Sequence, residues 1–204
     1  MTQALDALAA QMLNAAKAAG ADAADAMAVR GTSLSVDVRA GKLEEAQREE
    51  GTDIGLRVFV GQRTAIVSSS DTTSRTLSEM AERAVAMARE APENPYAGLA
   101  DPAQLARDRD VEALELFDPS DEPAPADLQE DAAQAEAAAL EVQGISQVQS
   151  ASAGYGARDI FIAGSNGFAG GYRRTDRGLS CVAIAGTGTG MERDYDGDSR
   201  IFQS

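Results

Sequence analysis

Three aspartates near the end of this 204-residue chain have the spacing of metal ligands. Asp194, Asp196 and Asp198 occupy the first three ligand positions of a calcium-binding loop, and Ile201 fits its apolar eighth position. Ser199, however, stands where such a loop needs glycine for its sharp turn, and the sequence stops before a glutamate could supply the twelfth-position ligand. The pattern therefore favours a solvated acidic strand end over a calcium site.

A glycine-rich motif directly precedes the aspartates. Gly186-Thr-Gly-Thr-Gly190 resembles a phosphate-binding loop in its glycines, but it lacks the Lys-Ser/Thr pair and no helical pattern follows it. Because glycines between two strands also suit a reversal of the chain, the motif predicts a flexible hairpin rather than a nucleotide site.

The sequence contains no histidine and only one cysteine, Cys181. Serine, cysteine and zinc hydrolases normally depend on imidazole as a base or a ligand, so the chain alone is predicted to be non-catalytic. A hydrolase that uses carboxylates alone needs two acidic groups paired in a cleft, and the sequence does not place any two of its 33 together. We therefore expect no catalytic, cofactor-binding or metal-binding residue in this chain.

Charge and hydropathy argue against two kinds of partner. The formal charge of −15 repels polyanions, and no cluster of Lys and Arg forms a basic stripe, so we expect no binding to nucleic acid. No stretch approaches the roughly 18 consecutive apolar residues of a membrane span, and the N-terminus lacks the basic region of a signal peptide. A lone cysteine agrees with a reducing compartment. These features predict a cytoplasmic protein without a membrane partner.

The placement of proline divides the chain. All six prolines lie between Pro92 and Pro125, together with eight carboxylates from Asp101 to Glu122. Proline is excluded from helix interiors and central strands, so this stretch predicts a connector with only short regular structure, such as one turn around residues 102–106. The predicted organisation is a first segment (residues 1–91), a connector (92–125) and a second segment (126–204).

The first segment has the pattern of a helix, several strands and a second helix. A 3.6-residue apolar period predicts a helix that begins near Leu5 and ends at Gly20, and Thr73 is the expected N-cap of the second helix. Alternation of apolar and polar residues predicts half-buried antiparallel strands between the helices. Glycines spaced ten apart would divide this region into four or five strands joined by tight turns, namely Gly31, Gly41, Gly51 and Gly61. The second helix is expected to bury five residues of one face, namely Leu77, Met80, Ala84, Met87 and Ala88.

The second segment repeats the order of a helix followed by strands. Residues 127–142 form an alanine-rich helical pattern with Gly144 as the expected C′ residue. Asn166-Gly167 predicts a type I′ hairpin turn, and Leu179–Ala185 predicts a central strand. The whole pattern predicts an α+β fold in which an antiparallel β-meander carries helices on one face.

A third motif, Met191-Glu-Arg-Asp-Tyr195, could by itself be an edge strand that uses charge to deter aggregation. Together with five other segments, however, it resembles the N-terminal half of the PmbA/TldE branch of the TldD/PmbA peptidase family. Those segments span nearly the whole chain and are Arg39–Glu45, Asp53–Val58, Asn94–Leu99, Ser165–Tyr172 and Leu179–Ile184. The order and spacing of these segments together are specific to that family.

The resemblance implies a role in zinc-dependent proteolysis of unfolded or leader-type peptides by a two-subunit cytoplasmic assembly. Members of the family are usually about twice this long and also bear a historical label as modulators of DNA gyrase. Their zinc-binding His-Glu motif belongs to the TldD-type partner and matches no position here, so zinc is expected in that partner and not in this chain. Homodimers of the full-length protein are also implied. The candidate contacts to peptide or partner are Met191, Glu192, Arg193, Asp194 and Tyr195.

An adaptor role is the alternative. In that case the chain would bind a client protein by itself, without a proteolytic partner. Co-purification of a histidine-containing second subunit would separate the two hypotheses.

The first prediction concerns metal content. Because imidazole is absent and only one thiol is present, the purified chain should hold no stoichiometric zinc and should show no peptidase activity by itself. Elemental analysis of the protein checks this expectation. About one tightly held zinc ion per chain would contradict it.

Overall fold

The structure is a computed structural model that describes residues 4–108 and 110–202. Its helices are α1 (Leu5–Ala18), α2 (Ser74–Glu90) and α3 (Pro125–Leu140). Its strands are β1 (Ala23–Arg39), β2 (Lys42–Val60), β3 (Arg63–Ser69), β4 (Ile145–Gly164), β5 (Ala169–Ala185) and β6 (Glu192–Arg200). The strands form one antiparallel sheet in the order β3-β2-β1-β4-β5-β6, which confirms the predicted α+β fold.

Internal contacts divide the chain into two compact units. The first unit comprises the described parts of Met1–Arg30, Gly51–Ala113 and Asp159–Arg173, and the second comprises those of Gly31–Glu50, Leu114–Arg158 and Arg174–Ser204. Strands β1, β2, β4 and β5 each contribute one part to either unit. The division of the sequence at the proline-rich connector stays a prediction.

The core of the first unit lies between α1, α2 and one face of its strands. Alternate residues of β1 and β2 point into this core, and Leu8 and Met12 of α1 are fully buried among them. Helix α1 ends as predicted, because Gly20 has a φ of 94° and its N–H donates to the Lys17 carbonyl at 3.1 Å. Thr73 caps α2 by accepting from the Thr76 N–H at 3.4 Å, which confirms the predicted N-cap.

One predicted core residue of α2 is in fact exposed. Met87 has 48% of its surface exposed, whereas the buried face of the helix consists of Leu77, Met80, Ala81, Ala84, Val85 and Ala88. At about 100° per residue these positions form a single stripe, and position 87 lies at its margin, about 90° from its centre. The apolar type of Met87 therefore does not place it in the core.

The core of the second unit lies between α3 and the strands. Leu128 and Ala132 of α3 are fully buried against Val36 and Val38 of β1 and against alanines of β4. Glu136 continues the same helical face one turn later and is only 3% exposed. Charged side chains are almost never buried without a partner, so Glu136 must accept hydrogen bonds within this unit.

Glu136 binds the tip of the hairpin that joins β1 to β2. Its Oε1 accepts the N–H of Ala40 and its Oε2 accepts the N–H of Gly41, both at 2.7 Å. Ala40 and Gly41 have φ values of 52° and 70°, so both occupy the left-handed region that a type I′ turn requires. Alanine is strained in this region, and the two charge-assisted hydrogen bonds offset that strain.

Thr175 ties the connector to β5. Its side chain is fully buried, its hydroxyl accepts the N–H of Asp118 at 2.8 Å, and it donates to the carbonyl of Ile201 at 3.0 Å. Its own N–H donates to the Leu116 carbonyl at 3.0 Å. The predicted short turn in the connector is confirmed as a 3₁₀ helix at Pro102–Gln104, and a second one lies at Glu112–Leu114.

Two of the four predicted glycine turns are wrong. Gly41 and Gly61 lie in tight turns with positive φ, but β1 runs through Gly31 and β2 runs through Gly51 without interruption. A Cβ atom on Gly31 would lie 3.3 Å from the Arg158 side chain, so this glycine allows a close approach between strands. The first segment therefore has three strands, two long and one short, instead of four or five.

Two turn assignments in the second segment also differ. Asn166 is not among the non-glycine residues with positive φ, so the turn is not type I′. The Gly167 N–H closes a turn to the Gly164 carbonyl at 3.0 Å, and only Gly167 is left-handed. Asn166 instead donates its side-chain amide to the Ala100 carbonyl at 2.9 Å. Helix α3 ends at Leu140, so Gly144, with a φ of 100°, lies in the turn to β4 and is not the C′ residue.

The second prediction tests the hairpin tip. Glu136→Ala should lower the free energy of unfolding by about 2 kcal/mol, because two main-chain N–H groups at the hairpin tip lose a charged acceptor. Ala40→Gly should raise it by about 0.5 kcal/mol, because glycine relieves the left-handed strain. Urea denaturation measures both. Glu130→Ala, at an exposed position of the same helix, is the matched control and should change stability little.

Candidate peptide-contact site

Strand β6 is one of the two edges of the sheet. It contains four of the five residues of the motif Met191–Tyr195. Among the described residues it pairs only with β5, and all nine of its residues are exposed. Glu192 lies opposite Ala185, Asp194 lies opposite Ala183, and Tyr195 is 79% exposed. Met191 directly precedes the strand and is half exposed. The predicted contact residues are therefore adjacent and accessible.

The register of β5 and β6 assigns their side chains to two faces. Arg177 of β5 is paired with Asp131 of α3, and Cys181 packs against the core beneath α3, so odd positions of β5 face that helix. Asp194, Asp196 and Asp198 lie opposite odd positions of β5 and thus share that face. Arg193, Tyr195, Gly197 and Ser199 point to the opposite face.

The directions of the main-chain groups follow from the same register. The Ile184 carbonyl accepts from the Ser146 hydroxyl at 3.1 Å, and the Gly186 N–H donates to the Gly144 carbonyl at 3.3 Å, so even positions of β5 face β4. Odd positions of β5 therefore pair with the even positions of β6. The N–H and C=O groups of the odd positions of β6, such as Tyr195 and Gly197, point outward from the sheet.

A shallow concavity of about 490 Å³ lies on the face that is opposite α3. Its floor is made of small residues from four strands, including Ser33, Gly154, Gly178, Ser180 and Gly197. At one end, Arg158 and Asp176 form an ion pair at 3.2 Å. A Cβ atom on Gly156 would lie 2.9 Å from the Asp176 carboxylate, so this glycine lets the Asp176 side chain lie against the floor. Such a surface brings an extended ligand close to main-chain atoms.

The three aspartates do not form a calcium loop. They lie in a regular strand, where side chains two residues apart are separated by about 7 Å. Each carboxylate accepts the N–H of the following residue at 2.9 Å. The pKa of Asp198 is lowered by its hydrogen bond and charge interaction with Arg200. No group of three or more potential metal ligands occurs in residues 4–108 and 110–202.

The glycine-rich motif joins β5 to β6 as predicted. It contains a 3₁₀ turn at Gly188–Gly190 and leads into a strand, not a helix. Gly186 and Gly188 have positive φ values. The motif is therefore a hairpin loop without the helix N-terminus of a phosphate site.

Two family descriptions match this chain. Residues 24–88 match PmbA/TldA metallopeptidase domain 1, and residues 118–204 match the PmbA/TldA metallopeptidase central domain. The chain belongs to the PmbA/TldA metallopeptidase family. The resemblance to this family that the sequence motifs indicated is thereby confirmed.

No helix in the described part of the chain has the length and hydropathy of a membrane span.

Similar proteins agree with this membership. The chain is 32% identical over 177 residues to the Metalloprotease PmbA of Escherichia coli O157:H7, and the match covers 85% of this chain and 38% of that protein. This chain thus spans well under half the length of that relative. The crystal structure of a protein described as a modulator of DNA gyrase, from Bacteroides thetaiotaomicron, has a TM-score of 0.82 at 22% identity, covering 97% of this chain and 45% of that one. TldE from Thermococcus kodakarensis has a TM-score of 0.69 at 15% identity, covering 95% and 43%. Both structures share the fold.

The zinc that a metallopeptidase family implies does not fit the residues of this chain. Histidine is absent from the sequence, and the one thiol, Cys181, has its pKa raised by burial and by the negative charge of Glu136. Zinc binds the thiolate, so these surroundings disfavour Cys181 as a ligand.

Sequence reasoning missed the small-residue concavity. Its glycines and serines lie far apart in sequence and come together only because four strands align in register. The alternation of Gly154 with Gly156 on β4 was the local signal, because two glycines two residues apart expose one face of a strand. Only the strand order connects them to Gly178 and Gly197.

The third prediction concerns the reactivity of Cys181. Because its pKa is raised, less thiolate is present at pH 7.5, so iodoacetamide should alkylate it more slowly than free cysteine and faster as the pH rises. Glu136→Gln removes the nearby negative charge and should accelerate the reaction. Intact mass spectrometry over time measures the rates. An alkylation rate equal to that of free cysteine would contradict the prediction.

Proposed function

We propose that this chain is part of a PmbA/TldE-type subunit that binds unfolded peptides in the cytoplasm and presents them to a zinc-containing TldD-type subunit. The observation that carries the proposal is the exposed edge strand β6, which contains Glu192–Tyr195 and lies beside the small-residue concavity. The absence of histidine supports a role in which the metal belongs to the partner.

Strand addition is the mode of binding that the edge suits best. An extended peptide can hydrogen-bond to the outward main-chain groups of β6 and extend the sheet by one strand. Its side chains would then alternate between the α3 face and the face of the concavity. Main-chain hydrogen bonds require an extended backbone, which agrees with a substrate defined by being unfolded.

The assembly is part of the proposal. We expect the full-length protein to form homodimers alone and to exchange into a mixed assembly with the TldD-type subunit. Residues 191–195 would then lie close to the peptide path or to the partner. Nucleic acid is not an expected ligand, because the net charge of −15 gives the chain few cations with which to release counterions.

The fourth prediction tests the outer edge within the assembly. Tyr195→Pro removes one outward N–H and leaves the inward pairs of Asp194 and Asp196 with β5 in place. It should lower the proteolysis of a denatured substrate by about fivefold, which corresponds to about 1 kcal/mol for a lost hydrogen bond. Tyr195→Ala removes the same side chain but keeps the N–H, so the fivefold loss is measured relative to Tyr195→Ala and reports the outward N–H alone.

The experiment co-expresses a TldD-type subunit with this chain, both as the 204 residues and at the full length of its reading frame. Size exclusion measures assembly, and cleavage of a denatured protein measures activity. If the full-length form neither associates with the TldD-type subunit nor changes its proteolysis, the adaptor alternative replaces this proposal. If Tyr195→Ala reduces cleavage as much as Tyr195→Pro, the side chain and not the strand edge carries the contact.

A further inference from the structure

We propose that the outer edge of β6 selects extended peptides that carry Lys or Arg at every second position. This inference rests on the proposed function, in which β6 takes a peptide strand, and it adds the chemical class of that peptide. The evidence is the way in which β6 satisfies its own outward N–H groups and the distribution of charge along its two faces.

The outward donors of β6 are occupied by the strand's own carboxylates. The N–H groups of Tyr195, Gly197 and Ser199 each donate to the aspartate that precedes them, at 2.9 Å. These are the donors that a new strand would need, because the odd positions of β6 face away from β5. A neutral peptide would have to replace three charge-assisted hydrogen bonds with three neutral ones, which is unfavourable.

A cationic peptide avoids this loss. When a strand adds to the outward positions of β6, the residues opposite Asp194, Asp196 and Asp198 are non-hydrogen-bonded pairs, in which opposing side chains come closest. A Lys or Arg at those positions can take the carboxylate from the backbone N–H. The freed N–H then donates to a peptide carbonyl. The carboxylate is thus paired with the cation of the peptide, and the N–H still has an acceptor.

The charges around the edge favour the same occupant. The face shared with α3 carries Glu192 and the three aspartates, where Arg200 is paired with Asp198 and Arg177 of β5 is paired with Asp131 of α3. Arg193 lies on the other face, where it donates to Gln149 at 3.4 Å. A ligand that lies along the edge therefore meets an acidic row on one side.

The opposite face permits bulky residues between the cations. Tyr195 is 79% exposed there, and Gly197 adds no side chain beside it. Apolar or aromatic peptide residues can pack against the Tyr195 ring and over the small-residue concavity. The preferred pattern is thus a strict alternation of a cationic residue with an apolar one.

Peptide isomers separate this pattern from general attraction to an acidic protein. We would measure the binding of three labelled peptides to the 204-residue chain by fluorescence anisotropy: alternating Lys-Val, block Lys-Val of identical composition, and alternating Thr-Val. The alternating Lys peptide should bind about tenfold more tightly than either of the others at about 50 mM salt, and high salt should reduce the difference.

Two sets of variants separate the charge of the aspartates from the caps, which are the hydrogen bonds that their side chains accept from the N–H groups of Tyr195, Gly197 and Ser199. Changing Asp194, Asp196 and Asp198 together to Asn keeps the caps without the charge, so the preference for the alternating Lys peptide should fall to about twofold or less. Changing all three to Ala removes the caps as well, so the Thr-Val peptide should bind more tightly than it does to the parent chain. The control is Glu45→Gln/Glu49→Gln on the exposed part of β2, which should change neither result.

The outcomes distinguish the two proposals. If the three peptides bind the parent chain equally, or if the Asn variant keeps the full preference, charge selection is wrong while the edge still takes a peptide. If none of them binds, the edge is not a peptide site, and the proposed function fails with it. Circular dichroism of each variant verifies that the strands are intact.

Discussion

The contact between Glu136 and the β1–β2 hairpin is the constraint on which the second unit depends. A carboxylate that is 3% exposed must find donors, and it finds two at Ala40 and Gly41, both in the left-handed region. Since one residue of slippage would move Val36 and Val38 from the core to the opposite face, this contact also fixes the register of the hairpin against α3. The alanine-rich helix buries little apolar surface by itself, and the polar contact adds the specificity that burial alone does not supply.

The composition of this chain limits the chemistry that its own residues can supply. A metallopeptidase needs ligands that this chain lacks, and its one thiol is held in surroundings that favour the protonated form. What the chain does offer is main chain, in the form of a strand edge beside a floor of glycine and serine. In the proposed strand addition, binding through main chain requires few special residues.

Much of the fold could be predicted from the sequence, because it depends on local patterns. The start of α2 at Thr73, the end of α1 at Gly20 and the hairpin at Gly186–Gly190 each follow from a few neighbouring residues. Two of the errors came from tertiary contacts. Gly31 meets a neighbouring strand rather than forming a turn, and Asn166 uses its side chain to bind the connector rather than adopting a positive φ. The concavity could not be predicted, since its lining depends on strand order.

Thr175 has a consequence for how the second unit opens. Its side-chain oxygen bonds to residues 57 positions before it and 26 positions after it, and its N–H bonds to a third site. Closing such long loops has an entropic cost that local turns avoid, so these bonds can form only after β5 is in place. Conversely, the release of this one hydroxyl frees an N–H in the connector and a carbonyl after β6 at the same time, so the two stretches open as a single cooperative unit.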